Sequence, residues 1–199
     1  MGDIFPVLDQ LIQRHEKERF LSQRAKVIWL TGLPCSGKTT LAVALEHDLF
    51  RRGFLCQVLD GDNVRAGINN NLGFSTSDRT ENIRRIAEVS KLFVSNGIIT
   101  INAFVSPTNE LRDMARKIVG PQDYFEIFLN PSVETCEKRD VKGMYHKARM
   151  GEITDFTGVN APFEASLHAD LELRTDTFSV KECLANMLEA VIPKIEYRG

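Results

Sequence analysis

Residues 27–52 constrain this chain more than any other stretch. Val27-Ile28-Trp29-Leu30-Thr31 is a short apolar run of strand character. Gly32-Leu33-Pro34-Cys35-Ser36-Gly37-Lys38-Thr39 follows and fits the phosphate-loop pattern G-x-x-x-x-G-K-[ST]. Lys38 to Arg52 then carries Leu41, Ala44, Leu45 and Leu49 on one helical face. Strand, glycine-rich loop and helix in this order converge backbone N–H groups and a helix N-terminus on an anion. In such a loop Lys38 reaches the terminal phosphates of a nucleotide and the Thr39 hydroxyl ligates Mg²⁺. The pattern predicts an α/β chain of the P-loop NTPase type. The flanking strand and helix set aside the blander reading of a glycine turn that only caps a helix.

The rest of the chain sustains the alternation. Phe54 to Leu59 reads as a second strand, and Asp78-Arg79-Thr80-Glu81 resembles a capping box opening a helix through about Ser95. Ile98 to Val105 reads as strand, Asn109 to Val119 as helix, Tyr124 to Leu129 as strand, Leu171 to Arg174 as a short strand and Lys181 to Ile192 as helix. These elements predict a mostly parallel sheet covered by helices on both faces. Residues 1–25 are expected to form an N-terminal helical segment, with Leu8, Leu11, Ile12, Phe20 and Leu21 at roughly helical spacing. Its apolar face either docks on its own domain or contacts another subunit. Residues 26–199 form the expected P-loop domain. Between about Val141 and Ala169 the apolar periodicity fades, and so long an irregular stretch in a compact domain is usually functional or mobile.

Composition narrows the partners. With 199 residues, 43% hydrophobic and 26% charged, the chain supports one globular domain and is neither disordered nor fibrous. Twenty-five basic against 27 acidic side chains give a net charge of −2. That balance argues against nucleic acid and against an anionic membrane. Cys35, Cys56, Cys136 and Cys183 have no disulfide or zinc spacing, and Met1 to Pro6 carry no leader-like pattern. A soluble, cytoplasmic protein is the expectation.

The second strand ends in Asp60-Gly61-Asp62, which puts two carboxylates at the sheet edge on which the phosphate loop opens. One carboxylate can hold magnesium through water and the other can accept a proton from an attacking hydroxyl, or the acidic turn caps the next helix. Arg65 lies three residues beyond Asp62, and Arg79 and Asn82 are three apart, so each pair can project from one helix face and grip an anion. Spacing alone reads equally as a solvated surface. Glu81 and Arg85 form an ordinary i, i+4 pair.

Beyond these single features, blocks of sequence from about Val27 to Glu164 resemble the adenylylsulfate (adenosine 5′-phosphosulfate) kinases. The carriers are the phosphate loop, Asp60-Gly61-Asp62-Asn63-Val64-Arg65, Leu72-Gly73-Phe74-Ser75, Asp78 to Arg85, Ala103-Phe104-Val105-Ser106-Pro107, and Lys142 to Gly158 continuing into Pro162-Phe163-Glu164. The resemblance implies ATP-dependent phosphorylation of the adenylylsulfate 3′-hydroxyl in sulfate assimilation, giving 3′-phosphoadenylylsulfate and ADP with Mg²⁺. It also implies a fold similar to the nucleoside monophosphate kinases, a homodimer, and a mobile lid at about 142–158.

Carried over residue by residue, it assigns ATP to Gly32, Leu33, Pro34, Cys35, Ser36, Gly37, Lys38, Thr39 and Thr40, with Arg139 on the adenine. Adenylylsulfate falls to Asp62, Arg65, Phe74, Arg79, Asn82, Val105, Ser106, Lys147 and Phe156. Thr39 and, through water, Asp60 fall to magnesium, and Lys38 and Asp62 to catalysis. Ser106 takes a binding role, or that of the phosphoserine described for the family; in-line transfer between two nucleotides needs no protein nucleophile. After Ser106-Pro107 the family usually has an aromatic and then a basic residue, where this chain has Thr108 and Asn109. Asn160 and Phe163 likewise replace the usual Asp and Tyr.

Other classes fit less well. A GTPase-type switch lacks an Asn-Lys-x-Asp segment. A different small-molecule kinase on the same fold, of gluconate, shikimate or nucleoside monophosphate type, is another candidate, and Phe74 and Phe156 argue against an acceptor without a flat base. A silent homologue would not be expected to keep Lys38, Thr39, Asp60, Asp62, Arg65 and Arg79 together.

Overall fold

The computed structural model describes residues 7–198. Five strands, β1 (Val27–Gly32), β2 (Cys56–Asp60), β3 (Ile99–Ala103), β4 (Tyr124–Leu129) and β5 (Leu171–Leu173), form one parallel sheet in the order β2-β3-β1-β4-β5. The helices are α1 (Arg14–Leu21), α2 (Lys38–Arg51), α3 (Gly61–Ala66), α4 (Thr76–Ser95), α5 (Asn109–Val119), α6 (Val133–Arg139), α7 (Met144–Arg149) and α8 (Val180–Ile195). The α/β class, the parallel sheet and its two helical layers are as expected.

The strand period of two divides the core. Ile28 and Leu30 face α2 and α8, packing with Leu41, Leu45, Leu49, Met187 and Val191. Val27 and Trp29 face the other way and pack with Ile83, Ile86, Ala115 and Val119 of α4 and α5. All six residues of β1 are buried, because this central strand is covered on both faces. Each fully buried Leu or Ile side chain contributes about 1.5–3 kcal/mol. A third cluster, Leu33, Cys136, Tyr145, Ala148 and Phe156, seats the segment around α7 on the phosphate loop and α6.

Two expectations need correction. The helix expected to open at Asp78 begins at Thr76, capped by the Ser75 hydroxyl, which accepts from the Asp78 N–H at 3.2 Å. Glu81 therefore lies inside the helix, where it pairs with Arg84 and with Arg85, the latter at 2.8 Å as expected.

The N-terminal segment is a 3₁₀ turn at Leu8–Gln10 followed by α1, and α1 buries none of its residues. Leu11, Ile12 and Phe20 are exposed. The segment docks by polar contacts instead of an apolar face. Arg14 meets the Asp123 carboxylate at 2.6 and 2.9 Å, Glu18 accepts from the Ala25 N–H, and the buried Gln23 amide closes the backbone of Leu55 and Gly97. The part of the 1–25 segment before residue 7 lies outside the described residues.

The stretch 141–169 is irregular except for α7, a single short helix.

Candidate active site

Everything that could handle a nucleotide lies at the carboxyl edge of the sheet. β1 runs into the phosphate loop at Gly32, whose φ is +151°, and a Cβ there would stand 2.5 Å from the Leu129 carbonyl. Only glycine fits so close to β4. The loop wraps the Lys38 ammonium, which donates to the carbonyls of Gly32 at 2.9 Å and Leu33 at 2.7 Å. Burial pushes that ammonium down to about 8. A cation enclosed by its own loop, with no carboxylate paired to it, is ready to exchange carbonyls for phosphate oxygens.

Thr39 Oγ1 donates to Asp60 Oδ2 at 2.7 Å, so the hydroxyl and the carboxylate expected to share a magnesium ion are in contact. Asp60 is buried and also caps α3 by accepting from the Asp62 N–H at 3.0 Å. Asp62 is exposed and pairs with the Lys142 ammonium from the start of the 142–158 segment. Capping therefore falls to Asp60, and the exposed Asp62 carboxylate is engaged by Lys142 instead. No cage of three or more His, Cys, Asp or Glu side chains exists among the described residues. Any cation here would need ligands from phosphate and water, which suits Mg²⁺.

On the far side of Asp62, Arg65 and Arg79 are half-buried and not solvated surface groups. Arg65 spends its donors on carbonyls and Arg79 on carbonyls and a hydroxyl, and neither forms an ion pair among the described residues. Arg65 Nη1 reaches the Gly73 carbonyl at 2.8 Å, and its guanidinium lies 4.5 Å from the centre of the exposed Phe74 ring. Arg79 Nε donates to the Phe74 carbonyl at 2.8 Å, and its other nitrogens reach Thr157 Oγ1 and the Asp155 carbonyl on either side of Phe156. Burial lowers the pKa of both, and their mutual repulsion adds to it at Arg65. Two guanidiniums without an ion-pair partner among the described residues, beside an exposed aromatic ring, are suited chemically to an anion attached to a flat group.

Phe156 is buried edge-on against Tyr145, with ring centres 4.9 Å apart. The Asn160 side chain holds its loop by accepting from the Phe156 N–H and donating to the Ile153 carbonyl. Asn82 is buried and accepts from the Asn69 amide at 2.9 Å. Lys147 is exposed and makes no side-chain hydrogen bond or ion pair among the described residues. Arg139 Nη1 bonds Thr175 Oγ1 at 3.1 Å, and Thr175 in turn donates to the Ser36 carbonyl, so Arg139 stands at the rim of the phosphate loop.

Val105 and Ser106 lie just beyond the carboxyl end of β3. The Val105 carbonyl accepts from Thr31 Oγ1 at 2.7 Å. Ser106 is 1% exposed with φ +43°, and its hydroxyl accepts from the Trp29 indole at 3.0 Å. A hydroxyl so enclosed is poorly placed as a nucleophile.

Sequence reasoning missed Trp29, Tyr145, Thr175 and Arg112 as supports of this edge. Tyr145, whose hydroxyl donates to the Pro34 carbonyl at 3.1 Å, carried a signal as an aromatic residue in a polar stretch. The others read as ordinary core or surface residues.

Known proteins match this arrangement along most of its length. The adenylylsulphate kinase family model matches residues 24–174. An adenylyl-sulfate kinase of Bacteroides fragilis is 58% identical over 98% of this chain and 96% of its own, and one of Clostridium acetobutylicum is 48% identical over 89% and 88%. Among solved structures, the APS kinase of Mycobacterium tuberculosis in complex with AMPPNP and APS superposes with a TM-score of 0.82 at 41% identity, covering 85% of this chain and 98% of that one. A Sinorhizobium meliloti gluconokinase, at 15% identity and a TM-score of 0.53, shares the fold alone. By sequence, by fold and by the extent of both matches, this chain belongs to the adenylylsulphate kinase family.

Proposed function

We propose that this chain transfers the γ-phosphoryl group of ATP to the 3′-hydroxyl of adenylylsulfate, in sulfate assimilation, and that the sheet edge described above is the site of transfer. The observation that carries the reading is the opposition of two receptors across Asp62. On one side lie Lys38 and Thr39 for a triphosphate. On the other lie Arg65, Arg79 and Phe74 for a nucleotide whose 5′ substituent is anionic.

Phosphoryl transfer asks mainly for positioning and charge neutralisation. The loop from Gly32 through Thr40 cradles the ATP phosphates and Arg139 covers its adenine. Arg65, Arg79, Asn82 and Lys147 hold the acceptor, with Val105 and Ser106 beneath it and Phe74 and Phe156 on its base. The 3′-oxygen forms the new bond to phosphorus as the bond to the ADP oxygen breaks, and the hydroxyl proton passes to Asp62 and on to solvent. Lys38 neutralises charge on the transferred group. Thr39 and, through water, Asp60 hold Mg²⁺, which when bound shields the phosphate oxygens. Ser106 acts in binding.

The unit of function in this reading is the domain 26–199, with residues 142–158 as its lid and residues 1–25 as an appended helical segment. Exposed Leu11, Ile12 and Phe20 support a homodimer that covers them. Among the described residues no helix is long and apolar enough to cross a membrane, and all four cysteines are free. The free thiols support a cytoplasmic setting.

ADP release measured with adenylylsulfate, gluconate, shikimate and AMP as acceptors tests the reading. Turnover dependent on adenylylsulfate is expected; turnover with another acceptor and none with adenylylsulfate overturns it.

A further inference from the structure

One heavily committed buried charge among the described residues supports the sheet edge and has been given no part in the reaction. Arg112 of α5 is 2% exposed, and its guanidinium joins three segments. Nη1 donates to the Ser106 carbonyl at 2.6 Å. Nη2 donates to Asn109 Oδ1 at 2.8 Å, to the Glu164 carbonyl at 2.8 Å and to the Ala165 carbonyl at 3.3 Å. Nε has no hydrogen-bond partner and lies 3.6 Å from Glu126 Oε1 in the centre of β4. Glu126 is itself buried and accepts from Ser166 Oγ at 2.6 Å and from Arg116.

Asn109 completes the clasp. Its side-chain amide and its N–H both donate to Glu164 Oε2, and its Oδ1 also accepts from the Leu167 N–H. The Glu164 N–H donates to the Pro107 carbonyl. The strap 163–167 leaving the lid is thus stitched to the 105–109 turn, with Arg112 at the crossing.

We propose that Arg112, aligned by Asn109, is a positioning residue for the acceptor nucleotide: its guanidinium joins the Ser106 carbonyl to the strap that follows the lid. Ser106 sits at φ +43°, a left-handed conformation that a non-glycine residue keeps only when its surroundings hold it there. The Trp29 indole holds its side chain, and its carbonyl accepts from Arg112 at 2.6 Å and, more weakly, from Thr31 Oγ1 at 3.4 Å. Without the Arg112 bond only the long Thr31 contact is left on that carbonyl, and the turn can relax, carrying Ser106 and its neighbour Val105 away from the acceptor.

Asn109 stands where the resemblance leads one to expect a basic residue, so the alignment through its amide belongs to this chain. The inference rests on the proposed reading of Val105 and Ser106 as acceptor-binding residues.

The test measures affinities for adenylylsulfate and for ATP by calorimetry, with melting temperatures alongside. Arg112→Met combined with Glu126→Met removes both buried charges at similar volume, an exchange that buried ion pairs often tolerate without loss of stability. Adenylylsulfate affinity is expected to fall roughly ten-fold, the scale of losing hydrogen bonds to a charged group. ATP affinity should stay within about two-fold, because the phosphate loop is untouched.

Arg112→Lys, which keeps one donor for the Ser106 carbonyl, should lose less. Asn109→Ala, at the first turn of α5, should lose about three-fold for adenylylsulfate alone, and it decides the question if the double variant does not fold. Folded variants that bind adenylylsulfate as tightly as the wild type, or that lose both nucleotides equally, overturn the positioning role. A wild-type protein that binds ATP and no adenylylsulfate overturns instead the functional reading beneath it.

Discussion

Arg79 of α4 donates to Thr157 Oγ1 at 2.9 Å, tying the helix that carries an acceptor-side guanidinium to the far end of the 142–158 segment. The near end is held as well, by the Lys142 ammonium on Asp62 and by the Tyr145 hydroxyl on the Pro34 carbonyl. In the proposed reading this segment is the lid over the two receptors, and it lifts to admit nucleotides. Hydrogen exchange should therefore be faster through 142–158 in the free protein than with both nucleotides bound. Thr157→Val, which removes the Arg79 contact and little volume, should speed exchange there in the free protein. Equal protection with and without nucleotide removes the gating role.

The Lys38 ammonium makes ATP capture sensitive to alkaline pH. Its pKa in the folded free protein is about 8, below the ordinary lysine value of 10.5, because burial disfavours the charged form. The cation that phosphate requires is thus fully present below about pH 8 and lost as pH rises through it. The effect on stability has the opposite sign. Between about 8 and 10.5 the unfolded chain binds the extra proton, so this group makes folding more favourable as pH rises. The kcat/KM for ATP should fall about ten-fold per pH unit well above 8, since that parameter reports the free enzyme. In Lys38→Ala turnover should be lost and the fold kept. A profile level to pH 10 overturns the assignment.

How far the sequence foretold the molecule depends on how local each signal is. Gly32 to Thr39, Val27 to Thr31 and Tyr124 to Leu129 could be read directly, because a loop closed by its own backbone and strands covered on both faces leave patterns in adjacent residues. The start of α4 was misplaced because Asp78 to Glu81 imitates a cap that Ser75 supplies three residues earlier. The N-terminal segment is legible only in part: its apolar spacing leaves docking and a subunit contact open, and the docking that is seen runs through Arg14 and Gln23 to polar partners as far off as Asp123 and Gly97. The Trp29 contact to Ser106 and the Arg112 contact to Glu164 span 77 and 52 residues, and no spacing rule reaches that far.

Asp62 carries the chemical step in this reading, and its replacement separates chemistry from binding. Asp60 does the capping and lies against Thr39, so Asp62→Asn should leave α3 and the phosphate loop in place. The asparagine still hydrogen-bonds and no longer accepts the hydroxyl proton. kcat should fall roughly 10²- to 10⁴-fold, the range of general acid–base contributions, while KM for adenylylsulfate changes only a few-fold. Steady-state kinetics over both substrates checks this. A change confined to KM would make Asp62 a positioning group, with the proton leaving directly to water.

The aromatic pair makes the sharpest claim about the acceptor, and its two members differ as experimental targets. Phe156 is packed against Tyr145 in the cluster that also holds Leu33, so its truncation loosens the seating of the lid as well as any contact with a base. Phe74 is 63% exposed, with Arg65 over its ring, so little folding energy depends on it. Phe74→Ala should leave the melting temperature nearly unchanged. A stack between a base and an aromatic ring is worth roughly 1–3 kcal/mol by analogy with nucleic-acid recognition, so adenylylsulfate affinity should fall about 5- to 150-fold. ATP affinity should change little. Calorimetric titration of both nucleotides into wild type, Phe74→Ala and Phe156→Ala distinguishes the cases. Loss for adenylylsulfate alone in Phe74→Ala supports a base held on that ring, and unchanged adenylylsulfate affinity in that variant removes Phe74 from the acceptor site.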